Sequence, residues 1–390
     1  MPRLYLAVDC GGTKAAAAIC DEQGMVRGRG FGGPANYTDV GLRAFLRSVD
    51  AAVREALFAA ADDDTTRLAN KQGTPFEAAW FGIAGVDSPG DVAALTPHLA
   101  SLLGLPHPSP RLIVANDTSL LASPVTDPAY PDTRSGVVVI AGTGSIVMSF
   151  GRREDGLLRT LGRVGGFGWL LGDEGSGYAV GRDAVRLVLD QADRERLMGD
   201  DAAGTSSVAL GQDVHLLRDR ILQHWGIKST DDLLMAVYSN DPLQQSPMMP
   251  PHAVANAVGE RKHRIASLTP LVFHLAFNHD DSLCLAILRR QASQIASQIC
   301  EVLRPPDTSR AHLRADRSVL CCGGSLVGVS KYRQILVEEL AKLGATFERV
   351  EYVGDPARRG AEALAGVWES QRASRSRSPS LPNPSNTESS

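Results

Sequence analysis

The residues best placed to do chemistry gather first in "VDCGGTK", where Asp9, Gly11, Gly12, Thr13 and Lys14 follow the apolar run "LYLAV". Glycines carry no Cβ and reach φ > 0, so the Gly11 and Gly12 N–H groups can approach a phosphate closely. Thr13 adds a hydroxyl donor and Lys14 a counter-charge, with the Asp9 carboxylate directly before them. A second apolar run ends in "IAGTGS", which offers Gly142, Thr143, Gly144 and Ser145 in the same order. Either turn alone fits an ordinary tight hairpin. Set at matching points of a duplicated unit, the two suit a di- or triphosphate.

Two further stretches carry candidate groups. "RLIVAND" ends an apolar run with Asn116 and Asp117 and opens a short helical "TSLLA". Beyond the carboxyl end of a strand, Asp117 can accept a proton from a substrate hydroxyl, or it can simply cap the helix that follows. "GGFGWLLGDEGSG" sets six glycines around Phe167, Trp169 and the pair Asp173-Glu174. Asp173 can take hydroxyl hydrogen bonds from a sugar while an aromatic ring covers its apolar face. The plainer role is a connection, with Ser176 capping the next helix and Glu174 favouring its dipole. No P-loop, HExxH or GxSxG pattern is present. "GRGFGG" satisfies GxGxxG but runs into "PANYTD" rather than a helix, so it reads as a chance match.

These groups need elements to hold them. Apolar runs and turn residues predict strands over 4–9, 15–20 and 25–31, then a helix over 40–60 with Leu42, Phe45, Leu46, Val49, Val53, Ala56 and Leu57 on one stripe. A strand over 78–85, a helix over 90–103 and a strand over 111–117 follow. The order strand, glycine turn, strand, glycine turn, strand then recurs over 136–162. After it come helices over 177–195, 213–224, 252–278 and 282–304, a strand over 318–324, a helix over 325–343, a strand over 346–353 and a last helix over 357–371. The class is α/β, with similar domains over 1–127 and 128–356 and the final helix packing back on the first. The polar "RASRSRSPSLPNPSNTESS" of 372–390 is expected to be a disordered tail.

With 390 residues and a net charge of −4, the chain lacks the basic footprint of a nucleic-acid or anionic-membrane binder. No apolar run approaches the roughly 18 residues needed to span a bilayer. The N-terminus enters a strand with no signal-peptide pattern, and six cysteines show neither CxxC nor metal-ligand spacing. Reduced thiols and a cytoplasmic location are expected.

"VDCGGTK", "GIAG", "ND", "IAGTGS", "GGFGWLLGDEGSGY" and "CCGGS" occur in the order found in the BadF/BadG/BcrA/BcrD-type ATPases, which the chain resembles over about 1–370. Within that family it is most similar to the eukaryotic N-acetylglucosamine kinases. The resemblance implies two ribonuclease-H-like domains of the actin-like ATPase fold, with a nucleotide and sugar cleft between them. It implies phosphoryl transfer from ATP, with Mg²⁺, to the 6-hydroxyl of an amino sugar, N-acetylglucosamine. Asp9 would position the metal through water, and Gly11, Gly12, Thr13, Lys14, Gly142, Thr143 and Gly144 would bind phosphates. Gly323, Gly324 and Ser325 would lie against adenosine. Asn36, Asp117, Ser145, Gly166, Phe167, Gly168 and Asp173 would hold the sugar, with Asp117 as the base. An amino-sugar sensor or regulatory ATPase with little kinase activity is the alternative. The oligomeric state is left open, with a homodimer as the working expectation.

Overall fold

A computed structural model describes residues 2–61, 74–198, 211–238, 261–304 and 313–377. The chain forms two compact units. The first takes in the residues up to Arg134, the segment Gly151–Arg159 and the chain from Asp355 onward; the second takes in Ser135–Phe150 and Thr160–Gly354.

In the first unit β1 (Leu4–Cys10), β2 (Ala15–Cys20), β3 (Val26–Gly32), β4 (Phe76–Ile83) and β5 (Leu112–Asn116) form one sheet in the order β3-β2-β1-β4-β5. Short turns make β1–β2 and β2–β3 antiparallel. The helices Tyr37–Ala60 and Pro89–Leu103 serve as crossovers that make β1–β4 and β4–β5 parallel. In this register Asp9 lies beside Gly82 and Gly82 beside Ala115, which brings the carboxyl ends of three parallel strands together.

Alternate residues of β1 face opposite ways, and both faces are covered. Leu4, Leu6 and Val8 pack with Phe45, Val49, Leu95 and Leu99 of the two crossover helices. Tyr5 and Ala7 pack with Ala357, Ala361 and Leu364 of the helix Pro356–Arg377. Arg3 ties that last helix to the sheet through two bonds to Glu369, at 2.7 and 2.8 Å.

The "GRGFGG" stretch turns out to have a packing role. Gly28, Gly30 and Gly32 alternate along β3, so all three face one way. A Cβ at each would lie 2.0, 2.1 and 1.9 Å from the carbonyl oxygens of Ala56, Ala52 and Ser48. The helix Tyr37–Ala60 therefore rests directly on the backbone of β3. Gly30→Val must push that helix away and is expected to cost about 3 kcal/mol, or roughly 10 °C in Tm. A melting curve matching wild type would refute this docking role.

The second unit repeats the scheme. β6 (Ser135–Ala141), β7 (Ser145–Arg152), β8 (Leu158–Gly165), β9 (Ser318–Gly323) and β10 (Arg349–Tyr352) run in the order β10-β9-β6-β7-β8. The β6–β9 and β9–β10 pairs are parallel. β6 thus sits between its hairpin partner and its crossover partner, as β1 does. Both units are ribonuclease-H-like, as the motif resemblance implied. Val180 and Val188 of Gly177–Met198, Leu275 of Thr269–Asn278, Ile295 and Ile299 of Ser282–Leu303, and Leu336 of Ser330–Lys342 fill this core.

Several boundaries differ from the sequence reading. The helix expected over 325–343 breaks at Val329, whose extended backbone separates Ser325–Gly328 from Ser330–Lys342. The helix from Tyr37 is interrupted at Gly41, where φ is 71°. The final helix runs to Arg377, past the point where a tail was expected; residues 378–390 lie outside the described residues, as does the 252–260 part of the helix expected over 252–278. Among the described residues no single helix is long and apolar enough to cross a membrane.

Candidate functional site

The candidate residues of the first unit collect at the carboxyl end of its parallel strands. After β1 the chain turns sharply: the Gly11 N–H donates to the Lys14 carbonyl at 3.0 Å, and the Ala35 N–H donates to the Gly11 carbonyl at 2.9 Å. Neither glycine uses the left-handed backbone open to it. A Cβ at Gly12 would meet nothing within 4 Å, and one at Gly11 would come no nearer than 3.5 Å to any atom. The protein's own packing therefore demands neither glycine, and the turn presents bare backbone to whatever approaches it. The Lys14 ammonium stands 4.9 Å above the ring of Phe31.

Two carboxylates flank this turn in unusual electrostatic states. Burial pushes the Asp9 carboxyl up to about 7, with Asp117 and then Asp355 adding to the shift and Lys14 opposing it. Burial also raises Asp117; the nearby Thr118 backbone N–H opposes this, and Asp87 adds to it. Asp355 had not been singled out from the sequence.

Whether Asp117 is merely a helix cap is decided by its neighbour. Asn116 Oδ1 accepts the Thr118 N–H at 3.1 Å and the Thr118 hydroxyl at 2.7 Å. Its Nδ2 donates to the Val86 carbonyl at 3.1 Å and to Asp87 at 3.2 Å. Asp117 makes no capping bond with its side chain. The backbone around it fits because β4 carries Gly82, where a Cβ would lie 2.7 Å from Leu120 and 3.1 Å from the Asp117 Cα. Asn36 does act as a cap: its Oδ1 accepts the Thr38 N–H at 3.1 Å and hydroxyl at 2.8 Å. Its amide N–H groups take no part in that cap.

The second unit gathers a different set. The Gly142 N–H donates to the Gly144 carbonyl at 2.9 Å, so this turn closes much as the first one does. The helix Gly177–Met198 docks onto it, with the Gly177 N–H donating to the Gly142 carbonyl at 2.7 Å and the Tyr178 N–H to that of Thr143 at 3.3 Å. Ser145 donates its hydroxyl to the Glu174 carbonyl at 2.7 Å. Two bonds from Arg182, at 3.0 and 2.7 Å, hold the Glu174 carboxylate and keep its pKa below the ordinary value. The Gly175 N–H donates to Gln291 at 2.8 Å, and Gln291 donates to Asp183 at 2.6 Å. This buried clamp sets Asp173, only 4% exposed, against the turn. A Cβ on Gly144 would lie 2.9 Å from Asp173 Oδ2.

The rest of the glycine-rich loop lies in the open. Phe167 is 65% exposed, while Trp169 packs edge-on against Tyr178 with ring centres 5.5 Å apart. Gly166 and Gly168 on either side of Phe167 have φ of 70° and 84°, which carries the ring out on a backbone path few other residues adopt.

A cavity of about 730 Å³ opens within the second unit, lined by Gly142, Thr143 and Ser325 together with Phe273, Asn278 and Lys331, among others. Its volume falls in the range of small-molecule sites, roughly 300–1,000 Å³. Gly323 and Gly324 do not line it. Gly323 is paired within the sheet opposite β6, and a Cβ on Gly324 would lie 2.5 Å from the Ala141 carbonyl. Of the three residues expected near adenosine, only Ser325 faces the cavity. Phe273, Asn278 and Lys331 were missed because they sit on helices with no motif.

A family model for the BadF/BadG/BcrA/BcrD ATPase family matches residues 6–350. The chain belongs to that family. Among curated relatives, an N-acetyl-D-glucosamine kinase of Dictyostelium discoideum is 32% identical over 195 residues, a match spanning 49% of this chain and 56% of the relative, little more than half its length. An N-acetylmuramic acid/N-acetylglucosamine kinase of Clostridium acetobutylicum is 27% identical over 299 residues, spanning 75% and 77%. A crystal structure from Porphyromonas gingivalis, provisionally named an N-acetylglucosamine kinase, shares the fold with a TM-score of 0.56. Its identity is 21%, over 94% of this chain and 99% of that one.

Nucleotide use comes with membership of this ATPase family, so the fit of a metal ion matters. Among the described residues no cluster of three or more His, Cys, Asp or Glu side chains could hold a metal by itself. Mg²⁺ does not need one, since it keeps several waters and binds through one or two carboxylates plus substrate phosphates. Asp9 suits that role: an oxygen donor whose carboxylate is disfavoured by burial and by two neighbouring acids gains most from a nearby cation.

Proposed function

We propose that this chain is an ATP-dependent kinase of an N-acetylated amino sugar, transferring the γ-phosphoryl group to the 6-hydroxyl of N-acetylglucosamine. The observation that carries the reading is Asp117, a half-buried carboxylate with a raised pKa whose capping duty has passed to Asn116. A base is most effective when its pKa approaches the working pH, and burial moves Asp117 in that direction. The names of the Dictyostelium and Clostridium relatives support the substrate class.

In this reading Asp117 accepts the proton of the attacking hydroxyl, and Asn36 donates its amide N–H to the sugar. Ser145, Gly166, Phe167, Gly168 and Asp173 supply the remaining sugar contacts, with Phe167 as the ring that covers the apolar face. The turns Gly11–Lys14 and Gly142–Gly144 take phosphate oxygens, and Ser325 with the cavity wall takes the adenosine. Asp9 holds Mg²⁺ through water. When bound, the metal supplies charge neutralisation for phosphoryl transfer. Because such transfer depends chiefly on positioning, the rigid sheet ends beneath Asp9 and Asp117 do much of the work.

The test is a panel of N-acetylglucosamine, glucosamine, N-acetylmannosamine, N-acetylmuramic acid and glucose with MgATP. Product regiochemistry is read by phosphorus–proton correlation. Phosphate on the 6-oxygen of N-acetylglucosamine, with the highest kcat/KM of the panel, is the expected result. ATP turnover indifferent to every sugar would overturn the reading, as would sugar binding with no turnover.

A further inference from the structure

The second glycine turn has a cation beside it that no motif announced. Lys262 belongs to the helix Arg261–Ala266, and its Nζ lies 3.7 Å from the position a Gly144 Cβ would take. Asp173 Oδ2 lies 2.9 Å from that same position, on a residue almost wholly buried. The missing side chain of Gly144 therefore leaves a space that a carboxylate and an ammonium both border. Among the described residues the two groups do not come close enough to form an ion pair. His263 and Ala266 of the same short helix line the cavity alongside Gly142 and Thr143.

This turn needs a charge from elsewhere. Gly142, Thr143, Gly144 and Ser145 carry none. A helix N-terminus often supplies anion affinity through its free N–H groups. Here the Gly177 and Tyr178 N–H groups are spent on the Gly142 and Thr143 carbonyls. Neighbouring cations are engaged as well: Arg261 donates to the Tyr238 carbonyl at 3.1 Å, and Lys331 to that of Phe277 at 3.0 Å. Lys262 places a cation at the turn itself.

We propose that Lys262 is the phosphate-binding cation of the second unit, taking a terminal phosphate of a nucleotide seated in the cavity, across the space that Gly144 leaves open. The proposal rests on the kinase reading only in taking the ligand to be a nucleoside triphosphate.

Calorimetric titration of the full chain with a non-hydrolysable ATP analogue, ADP and adenosine, in magnesium buffer without sugar, tests this. Lys262→Met is expected to weaken the triphosphate by about 10- to 100-fold, the usual worth of a charged hydrogen bond, and to leave adenosine within about two-fold. Lys262→Arg should restore most of the loss. Unchanged triphosphate affinity in Lys262→Met overturns the proposal, and so does an equal loss for adenosine, which would mean that the cavity itself had changed. If wild type binds no nucleotide at all, the kinase reading falls as well. If wild type binds and Lys262→Met binds equally, only the role of Lys262 is lost.

Discussion

Asp117→Asn is expected to lower kcat for amino-sugar phosphorylation by about 10²- to 10⁴-fold while leaving the sugar KM nearly unchanged. The asparagine keeps the size and hydrogen-bonding reach of the side chain but cannot take the proton. Stability should not fall with activity, because Asn116 rather than Asp117 caps the helix Thr118–Leu121. Removing a half-buried carboxylate should instead raise Tm slightly. Asn116→Ala provides the contrast. It strips the cap from Thr118 and the tether to Val86 and Asp87, so it should reduce both Tm and activity. Steady-state kinetics and melting curves on the two variants separate a base from a structural residue. Full activity in Asp117→Asn would remove the base assignment.

Asp9→Asn should show effects of opposite sign on activity and stability. With its carboxyl pKa raised from 3.8 to about 7, the folded protein binds this proton more tightly than the unfolded chain does. For such a group stability falls as pH rises from about 4 to 7, where the unfolded chain has released the proton and the folded one has not. Above 7 the penalty is complete, on the order of 4 kcal/mol. The variant carries no such penalty. It is expected to be more stable than wild type at about pH 8, with the difference shrinking toward about pH 5. MgATP-dependent turnover should fall sharply in the same variant, because a neutral amide is a poor partner for a hydrated Mg²⁺. Unfolding curves for both proteins at the two pH values measure the first effect and a Mg²⁺ titration of rate the second. A variant less stable than wild type at the higher pH would contradict the environment described for Asp9.

Much of the architecture was legible because it is written locally. A hairpin is specified by a few turn residues and the alternation beside them, so "VDCGGTK" and "IAGTGS" announced their turns, and the doubled order of strands followed. The α/β class and both candidate phosphate turns came from the same short-range signals. Element ends were less accurate. The break at Val329 and the extension of the final helix to Arg377 depend on packing against the rest of the fold.

Roles that depend on a distant partner could not be read this way. Nothing in "RLIVAND" says which of two adjacent residues caps the helix; the tether of Asn116 to Val86 and Asp87 settles it. Nothing in "GRGFGG" reveals that a helix lies on its glycines, because the carbonyls of Ser48, Ala52 and Ala56 arrive from another element. Gly324 has the look of a ligand-binding glycine, yet its bare backbone is needed by Ala141. Lys262 carries no motif and acquires a place beside Gly144 only when its helix packs onto the second unit. The sequence by itself determined the class, the duplicated scheme and the positions of the turns, since those follow from neighbours along the chain. Only the tertiary structure decided which carboxylate is free, which glycines serve packing and which cation meets the second turn, because each depends on groups that only folding brings together.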